Sequence, residues 1–346
     1  MGTRVYSAGG LVVLACLAAS LVGCSGGPGA SSAGQAQTPG VPATSVAATV
    51  QPTTASTASP LPMLDLLWES AGVPAATGKL PATYSPAIDP LTGDIWVAVS
   101  FDGIIWIFTP DGTFKGTFGS PGKGDGEFNF VRPTCTPCGA GAMTFAPDGT
   151  LFVADVGNQR IQKFDPKHKF VKAWGSFGAG DGQFADANQI ATDGTSVYVS
   201  DDARGDLQVF KTDGTLLRRI AGGEGWLAID QSGNLFASNP GGVQKYAPGA
   251  ASVIVTFTLP DYPGSELIGL AADGAGHLYY DIQRLVRPNI ARGIGEYDTA
   301  TGAVREWGVG GETIALAPEG HAIYAANFVN PEWPKATLRK YAIPAP

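Results

Sequence analysis

Histidine and cysteine are scarce in this chain, and each shortage removes a class of chemistry. The 346 residues include three histidines, His168, His277 and His321, too few for a catalytic zinc site built mainly on imidazole. Of the four cysteines, Cys16, Cys24, Cys135 and Cys138, only the last two are close together. No second pair is present to complete a structural zinc site around Cys135-Thr136-Pro137-Cys138. Gly139 stands where haem attachment needs a histidine. The Gly-x-Ser-x-Gly pattern of a serine nucleophile is also missing. No window has the 3.6-residue periodicity of a long amphipathic helix. Charged residues make up 15% of the chain, with 22 Lys+Arg against 30 Asp+Glu. That mildly acidic balance, with its basic residues scattered, argues against a nucleic-acid partner.

What the chain has instead is glycine and proline, 48 and 26 of them, the composition of a protein made of strands and turns. The stretch from Met143 to Gly175 shows how they are used. Three short runs rich in β-branched and aromatic residues, Leu151–Ala154, Arg160–Phe164 and Phe170–Trp174, are separated by Asp155-Val156-Gly157-Asn158 and Asp165-Pro166. Such residues set turns by fixing or freeing φ and by bonding their own backbone. With Ala142–Ala146 in front, the stretch predicts a four-stranded antiparallel meander. The apolar residue opening the second strand recurs at Ile95, Leu151, Val197, Leu235, Leu278 and Ile323, with spacings of 56, 46, 38, 43 and 45. That period is expected of a propeller blade. A third strand follows each time, for example Ile105–Phe108, Ile161–Phe164, Leu207–Phe210 and Val243–Tyr246. Six copies are present. The last lacks a fourth strand before the chain ends, yet Met63-Leu-Asp-Leu-Leu-Trp68 matches the fourth strand Phe170-Val-Lys-Ala-Trp174. The expected fold is therefore all-β: a six-bladed β-propeller of four-stranded antiparallel blades, with the last blade closed by the N-terminal strand.

The chain opens with Met1-Gly-Thr-Arg4, then the apolar run Leu11–Val22, too short to span a bilayer. Leu21-Val22-Gly23-Cys24 resembles the bacterial lipobox. The resemblance implies a signal peptide over 1–23, a diacylated Cys24, and a membrane anchor of two acyl chains. Residues 24–60, rich in Gly, Ser, Ala, Thr and Pro and uncharged, are expected to be a disordered tether. Coil scaling gives it a reach of ~30 Å. The propeller occupies 61–346, facing outside the cytoplasm in the bacterial cell envelope. There Cys135 and Cys138 are expected to form a local disulfide; a redox-active dithiol is the other reading, without the βαβ context that usually carries one.

Asp148-Gly-Thr-Leu-Phe-Val-Ala-Asp155, Asn158-Gln-Arg-Ile-Gln-Lys-Phe164 and Gly178-Ala-Gly-Asp-Gly-Gln-Phe184 resemble the NHL repeat. A second glycine-rich loop, Gly122-Lys-Gly-Asp-Gly-Glu-Phe128, follows blade one. The motif is clear in blade two and eroded in blades four to six. The resemblance implies the six-bladed propeller and leaves the function open, because the fold hosts scaffolds, ligand binders, lyases and lactonases. The amidating and streptogramin-lyase-like members rely on channel histidines. Here His277 and His321 fall in first-to-second-strand turns and His168 in a third-to-fourth-strand turn.

The long connections fall on one face: Gly119–Ala142, Gly175–Gln189, Pro260–Leu267, Asp281–Gly293 and Ala326–Ala336. Arg132, Arg160, Arg204, Arg284, Arg287 and Arg292, with Tyr262, Phe328 and Trp333, form the candidate ligand-binding face, since arginine and aromatics are enriched at binding hot spots. Phe128 and Phe184 in the same loops are expected to pack between blades. Asp155, Asp201, Asn239, Asp281 and Asn327, where second strands end, form an oxygen-ligand set suited to Ca²⁺, although turn geometry asks for the same residues. No organic cofactor is expected, and the chain is expected to be a monomer. The leading reading is a lipid-anchored, non-catalytic propeller that binds a protein, peptide or envelope glycan. The alternative is a metal-dependent hydrolase or lyase acting on a small molecule at the channel mouth, with its catalytic residues unknown.

Overall fold

The computed structural model describes residues 49–50, 62–70, 83–132, 141–223, 225–259, 265–286, 289–308, 313–326 and 337–345. Six four-stranded antiparallel sheets form in chain order. Blade one runs Thr83–Ile88, Ile95–Val99, Ile104–Phe108, Phe114–Phe118, and blade two Ala142–Phe145, Leu151–Asp155, Arg160–Phe164, Phe170–Trp174. Blade three is Ala187–Thr192, Ser196–Asp201, Asp206–Lys211, Leu216–Ala221, and blade four Leu227–Ile229, Leu235–Asn239, Gly242–Tyr246, Val253–Phe257. Blade five is Ser265–Ala272, His277–Val286, Asn289–Asp298, Val304–Trp307. Blade six takes Thr313–Leu316, Ala322–Ala326 and Leu338–Ala342 from the end of the chain and Asp65–Glu69 from near its start.

The second strands are almost wholly apolar because both of their faces are covered. A strand places successive side chains on opposite faces. Ile95, Val97 and Val99 pack toward blade six with Tyr324 and Leu338, while Trp96 and Ala98 pack toward blade two with Leu151 and Phe164. The same division repeats around the ring, giving one apolar cluster between each pair of neighbouring blades. Only the outer strands meet water along one face, and they alone leave large apolar side chains exposed in series: Phe114, Val171, Leu217 and Ile254.

The N-terminal strand closes the last blade, as expected. Asp65 pairs with Ala342, Leu66 with Tyr341 and Glu69 with Arg339, antiparallel. Beyond the strand, Ser70 N–H donates to Leu338 O at 2.8 Å, and Leu338 N–H donates to Ser70 Oγ at 2.9 Å. Trp68 takes the place that Trp174 holds in blade two. Each covers a positive-φ glycine in the third-to-fourth-strand turn of the next blade, Gly112 (φ 84°) for Trp68 and Gly214 (φ 84°) for Trp174. A Cβ at Gly112 would come within 2.6 Å of the Trp68 ring, so the tight turn and the indole require each other.

Two segments differ from the sequence reading. Asp281–Gly293, expected as a loop, is mostly ladder: the blade-five hairpin extends by pairing through to Val286 and Asn289. Ile282, Leu285 and Val286 on one arm and Ile290 on the other suit a strand pair, with Pro288-Asn289 between them, residue types that favour turns. Thr49–Val50, within the expected tether, pairs in parallel with Thr256–Phe257 on the outer edge of blade four. That edge carries the unpaired peptide groups on which an extended segment can be templated.

Candidate functional site

The long-loop face is built around two glycine-rich loops made in the same way. After blade one, Gly122 N–H donates to Phe128 O at 3.1 Å and Glu127 N–H to Gly124 O at 3.1 Å. After blade two, Gly178 N–H donates to Phe184 O at 3.1 Å and Gln183 N–H to Gly180 O at 3.2 Å. The side chain of Glu127 accepts from Gly124 N–H at 2.8 Å, and that of Gln183 accepts from Gly180 N–H at 2.9 Å. Phe128 and Phe184 are fully buried, as expected of residues that seal the gap between blades. Gly119 (φ 79°) and Gly175 (φ 108°) leave room for them, since a Cβ there would lie 2.3 Å and 2.6 Å from the two rings.

The next blade then locks each loop. Arg160 donates to Gly124 O at 2.7 Å and Glu127 O at 3.0 Å, and Arg204 donates to Gly180 O at 2.8 Å and Gln183 O at 2.6 Å. Gln162 Nε2 donates to Glu127 O at 2.7 Å, and its Oε1 accepts from Gly126 N–H at 2.9 Å. Gln208 repeats both bonds with Gln183 O and Gly182 N–H, at 2.7 and 2.9 Å. Asp155 accepts from Asn129 N–H, Asn158, Arg160 and Gln162 at 2.7–3.0 Å. Asp201 accepts from Ala185 and Asp186 N–H groups at 2.7 and 3.0 Å. Burial raises both carboxyl pKa values, against the pull of these donors.

This arrangement reassigns several candidate residues. The guanidinium groups of Arg160 and Arg204 face inward to loop carbonyls. Asp155 and Asp201 spend their oxygens on N–H donors of separate blades, an arrangement that fits loop anchors and does not converge on a shared cation. Asn239 donates to Gly222 O at 3.1 Å and accepts from Gly241 N–H at 2.7 Å. Asp281 is buried at the matching place in blade five. Among the described residues no three His, Cys, Asp or Glu side chains gather as a metal-binding group. Arg284 and Arg292 lie in the extended blade-five hairpin, opposite Ala291 and Gln283. Cys24, Cys135, Cys138, Tyr262, Arg287, Asn327, Phe328 and Trp333 lie outside the described residues.

Arg132 enters a different cluster. Its guanidinium binds Asp186 through Nε, at 3.0 Å, and through Nη2, which also donates to Asp202 at 2.8 Å. Asn188 donates to the same Asp202 oxygen at 2.8 Å. Asp186 is buried, whereas 30% of the Asp202 side chain is exposed. Desolvation, with repulsion from Asp186, outweighs Arg132 and moves the Asp202 carboxyl from its ordinary 3.8 to about 6. The sequence reading passed over Gln162, Gln208, Asp186, Asp202 and Asn188. For the glutamines a signal exists: a glutamine directly after the first apolar residue of successive third strands, Ile161-Gln162 and Leu207-Gln208. For Arg132–Asp186–Asp202, spread over 70 residues of chain, no local signal exists.

What the two locks hold outward is short. In the first loop Pro121, Lys123 and Asp125 are exposed, and in the second Phe177, Ala179 and Asp181. Phe177 is 70% exposed. It bridges in parallel to Phe184, as Pro121 does to Phe128.

An arginine and a glutamine lock each glycine-rich loop, Arg160 and Gln162 on the first and Arg204 and Gln208 on the second. RING finger protein nhl-1 of Caenorhabditis elegans is 36% identical over 87 residues, 25% of this chain and 8% of that protein. The chain is a six-bladed β-propeller. It spans less than a tenth of the length of that curated relative. No protein-family model matches the chain. Among solved structures it is similar to a gluconolactonase from Xanthomonas campestris, with a TM-score of 0.55 at 12% identity over 83% of this chain and 99% of that one. The PQQ-bound aldose sugar dehydrogenase from Streptomyces coelicolor gives 0.55 at 15% identity over 81% and 98%. Virginiamycin B lyase from Staphylococcus aureus gives 0.51 at 12% over 79% and 98%. At these identities the likeness is one of fold alone.

Proposed function

We propose that this propeller is an envelope binding module, held to a membrane through an acylated Cys24 and the tether that follows, and that it takes a protein, peptide or glycan partner on its long-loop face. The observation that carries this reading is Phe177, a large aromatic 70% exposed at the tip of a loop whose backbone is fixed by Arg204, Gln183 and Gln208. A rigid aromatic loses little conformational entropy on binding, which is why such side chains act as hot spots. Two locked loops side by side give a preorganised surface on neighbouring blades. The test is co-sedimentation of the purified head with the isolated cell-envelope fraction, comparing intact protein with Phe177→Ser. A loss of sedimentation of about tenfold is expected for a hot-spot aromatic; equal sedimentation of the two would sink the reading.

A second reading, a hydrolase or lyase acting on a small molecule, is favoured by one feature. Asp202, with its carboxyl at about 6, stands beside Asp186 and Arg132 near the start of the blade-three inner strand, and a carboxyl so placed suits proton transfer. The lyase, lactonase and dehydrogenase among the structural relatives fit that reading as well. Metal analysis of the purified head separates the two: stoichiometric Ca²⁺ or Zn²⁺ that survives dialysis would move the enzyme reading ahead.

A further inference from the structure

Each inner strand pairs on one side only and ends its sheet, from Thr83–Ile88 in blade one to Thr313–Leu316 in blade six. Their open edges face the ring axis, where peptide N–H and C=O groups need partners. The axis holds a cavity of 460 Å³, within the size range of small-molecule pockets. Its wall extends to Pro90, Pro147 and Pro318 in the first-to-second-strand turns, so it reaches the short-turn face, opposite the glycine-rich loops. None of the lining residues is ionisable; most are apolar, such as Phe145, Ile229, Leu316 and Ala315, with Thr144, Gln189 and Thr192 as polar members. An ionic guest would give up its hydration there without a counter-charge.

Blade one breaks the regularity of the wall. Ser85 has φ 42°, left-handed for a residue with a Cβ, at the irregularity between Tyr84 and Ala87 where Pro86 interrupts the ladder. Its Oγ is buried without a hydrogen-bond partner, and the residue lines the cavity. A strained backbone carrying an orphan hydroxyl is costly, and such features cluster at binding sites. We infer that the channel is a second binding site, open to the short-turn face, for an uncharged and largely apolar small molecule whose single carbonyl group draws the shielded Ser85 hydroxyl round into the cavity and accepts its hydrogen bond. Unlike the partner face, this site involves neither glycine-rich loop.

The probe is prodan, a neutral naphthalene bearing one ketone, whose emission shifts to the blue in apolar surroundings. Titration into the head should give a saturable blue shift with one site per chain. Ser85→Ala should weaken prodan about three- to tenfold, the worth of one hydrogen bond, and leave the ketone-free 2-dimethylaminonaphthalene unchanged. Ala315→Phe, which fills the lining, should abolish binding of both while circular dichroism reports an intact ring, and Phe177→Ser should change neither. No saturable shift with the intact head, equal prodan affinity in Ser85→Ala, or equal weakening of both naphthalenes by that variant would each overturn the site. The Ser85→Ala comparison stands even if Ala315→Phe fails to fold.

Discussion

Gln162 and Gln208 do what their size and polarity allow and no apolar residue can: each serves a loop N–H and a loop C=O at once from a buried strand. Gln162→Leu keeps the volume but strands Gly126 N–H and takes one donor each from Glu127 O and Asp155, which keep Arg160. The expected loss is about 2–4 kcal/mol, read as a lower urea midpoint at unchanged slope, with Gln208→Leu giving a similar loss. Asp202 predicts a pH effect. Its folded pKa, about 6, lies above its ordinary 3.8, so the folded state binds the extra proton between those values. Stability from this group is therefore fully present below pH ~4 and is lost as pH rises through ~6. A displacement of that size is worth about 3 kcal/mol in full, and screening at the exposed edge of the side chain reduces it to about 1–2 kcal/mol. Unfolding free energy measured from pH 4 to 7 should fall by that much more in the intact head than in Asp202→Asn; parallel curves would show that Asp202 does not titrate there. Residue roles were the least legible part of the sequence. Arg160 and Arg204 read as binding residues because they stand in long loops, yet a guanidinium beside a carbonyl-rich glycine loop is drawn inward, and one sequence alone does not display that geometry.

Elements were far more legible, and for a physical reason. The second strands are packed on both faces, so their runs are mostly apolar and their starts fall within a residue of Ile95, Leu151, Val197, Leu235, Leu278 and Ile323. Turns declared themselves through Asp-Gly pairs such as Asp148-Gly149, where Asp148 accepts from Thr150 N–H at 2.9 Å and Gly149 takes φ 86°. The blade-five extension was misread because Arg287-Pro288-Asn289 reads as a turn inside a long connection, while the pairing that extends the ladder on either side has no local sequence signal. The glycine-rich loops yield a prediction at this scale. Gly119→Ala and Gly175→Ala each combine a positive φ with a Cβ forced against a buried phenylalanine. A loss of about 2–4 kcal/mol is expected from each. Gly182→Ala, also at positive φ (72°) but with open space around it, should cost only about 1 kcal/mol through the backbone. Equal losses at all three positions would mean that the aromatic seal adds nothing beyond conformational strain.

At the scale of the whole molecule, stability rests on six inter-blade clusters, and removing any one opens the ring. Met63–Ser70 is the cheapest place to test this, because it lies far in sequence from the blade it completes. Its deletion exposes the edge of Leu338–Ala342, removes buried Leu64 from the cluster between blades five and six, and takes Trp68 off Gly112 and Tyr324. Losing a half-buried tryptophan and a buried leucine costs about 2–4 kcal/mol each, before the lost ladder is counted. The sum is comparable to the ~5–15 kcal/mol that holds a typical domain. At about 2–4 °C per kcal/mol for large domains, melting should fall by 10 °C or more, with aggregation through the bared edge. Deletion of Ser31–Thr44 should leave melting unchanged. Because blade one packs against blade six, the damage should also reach Trp106 in the same cluster as Trp68, and its near-ultraviolet signal should broaden with the deletion. If the shortened head melts like the intact one, Asp65–Glu69 is not what closes the ring, and some other segment must supply that edge.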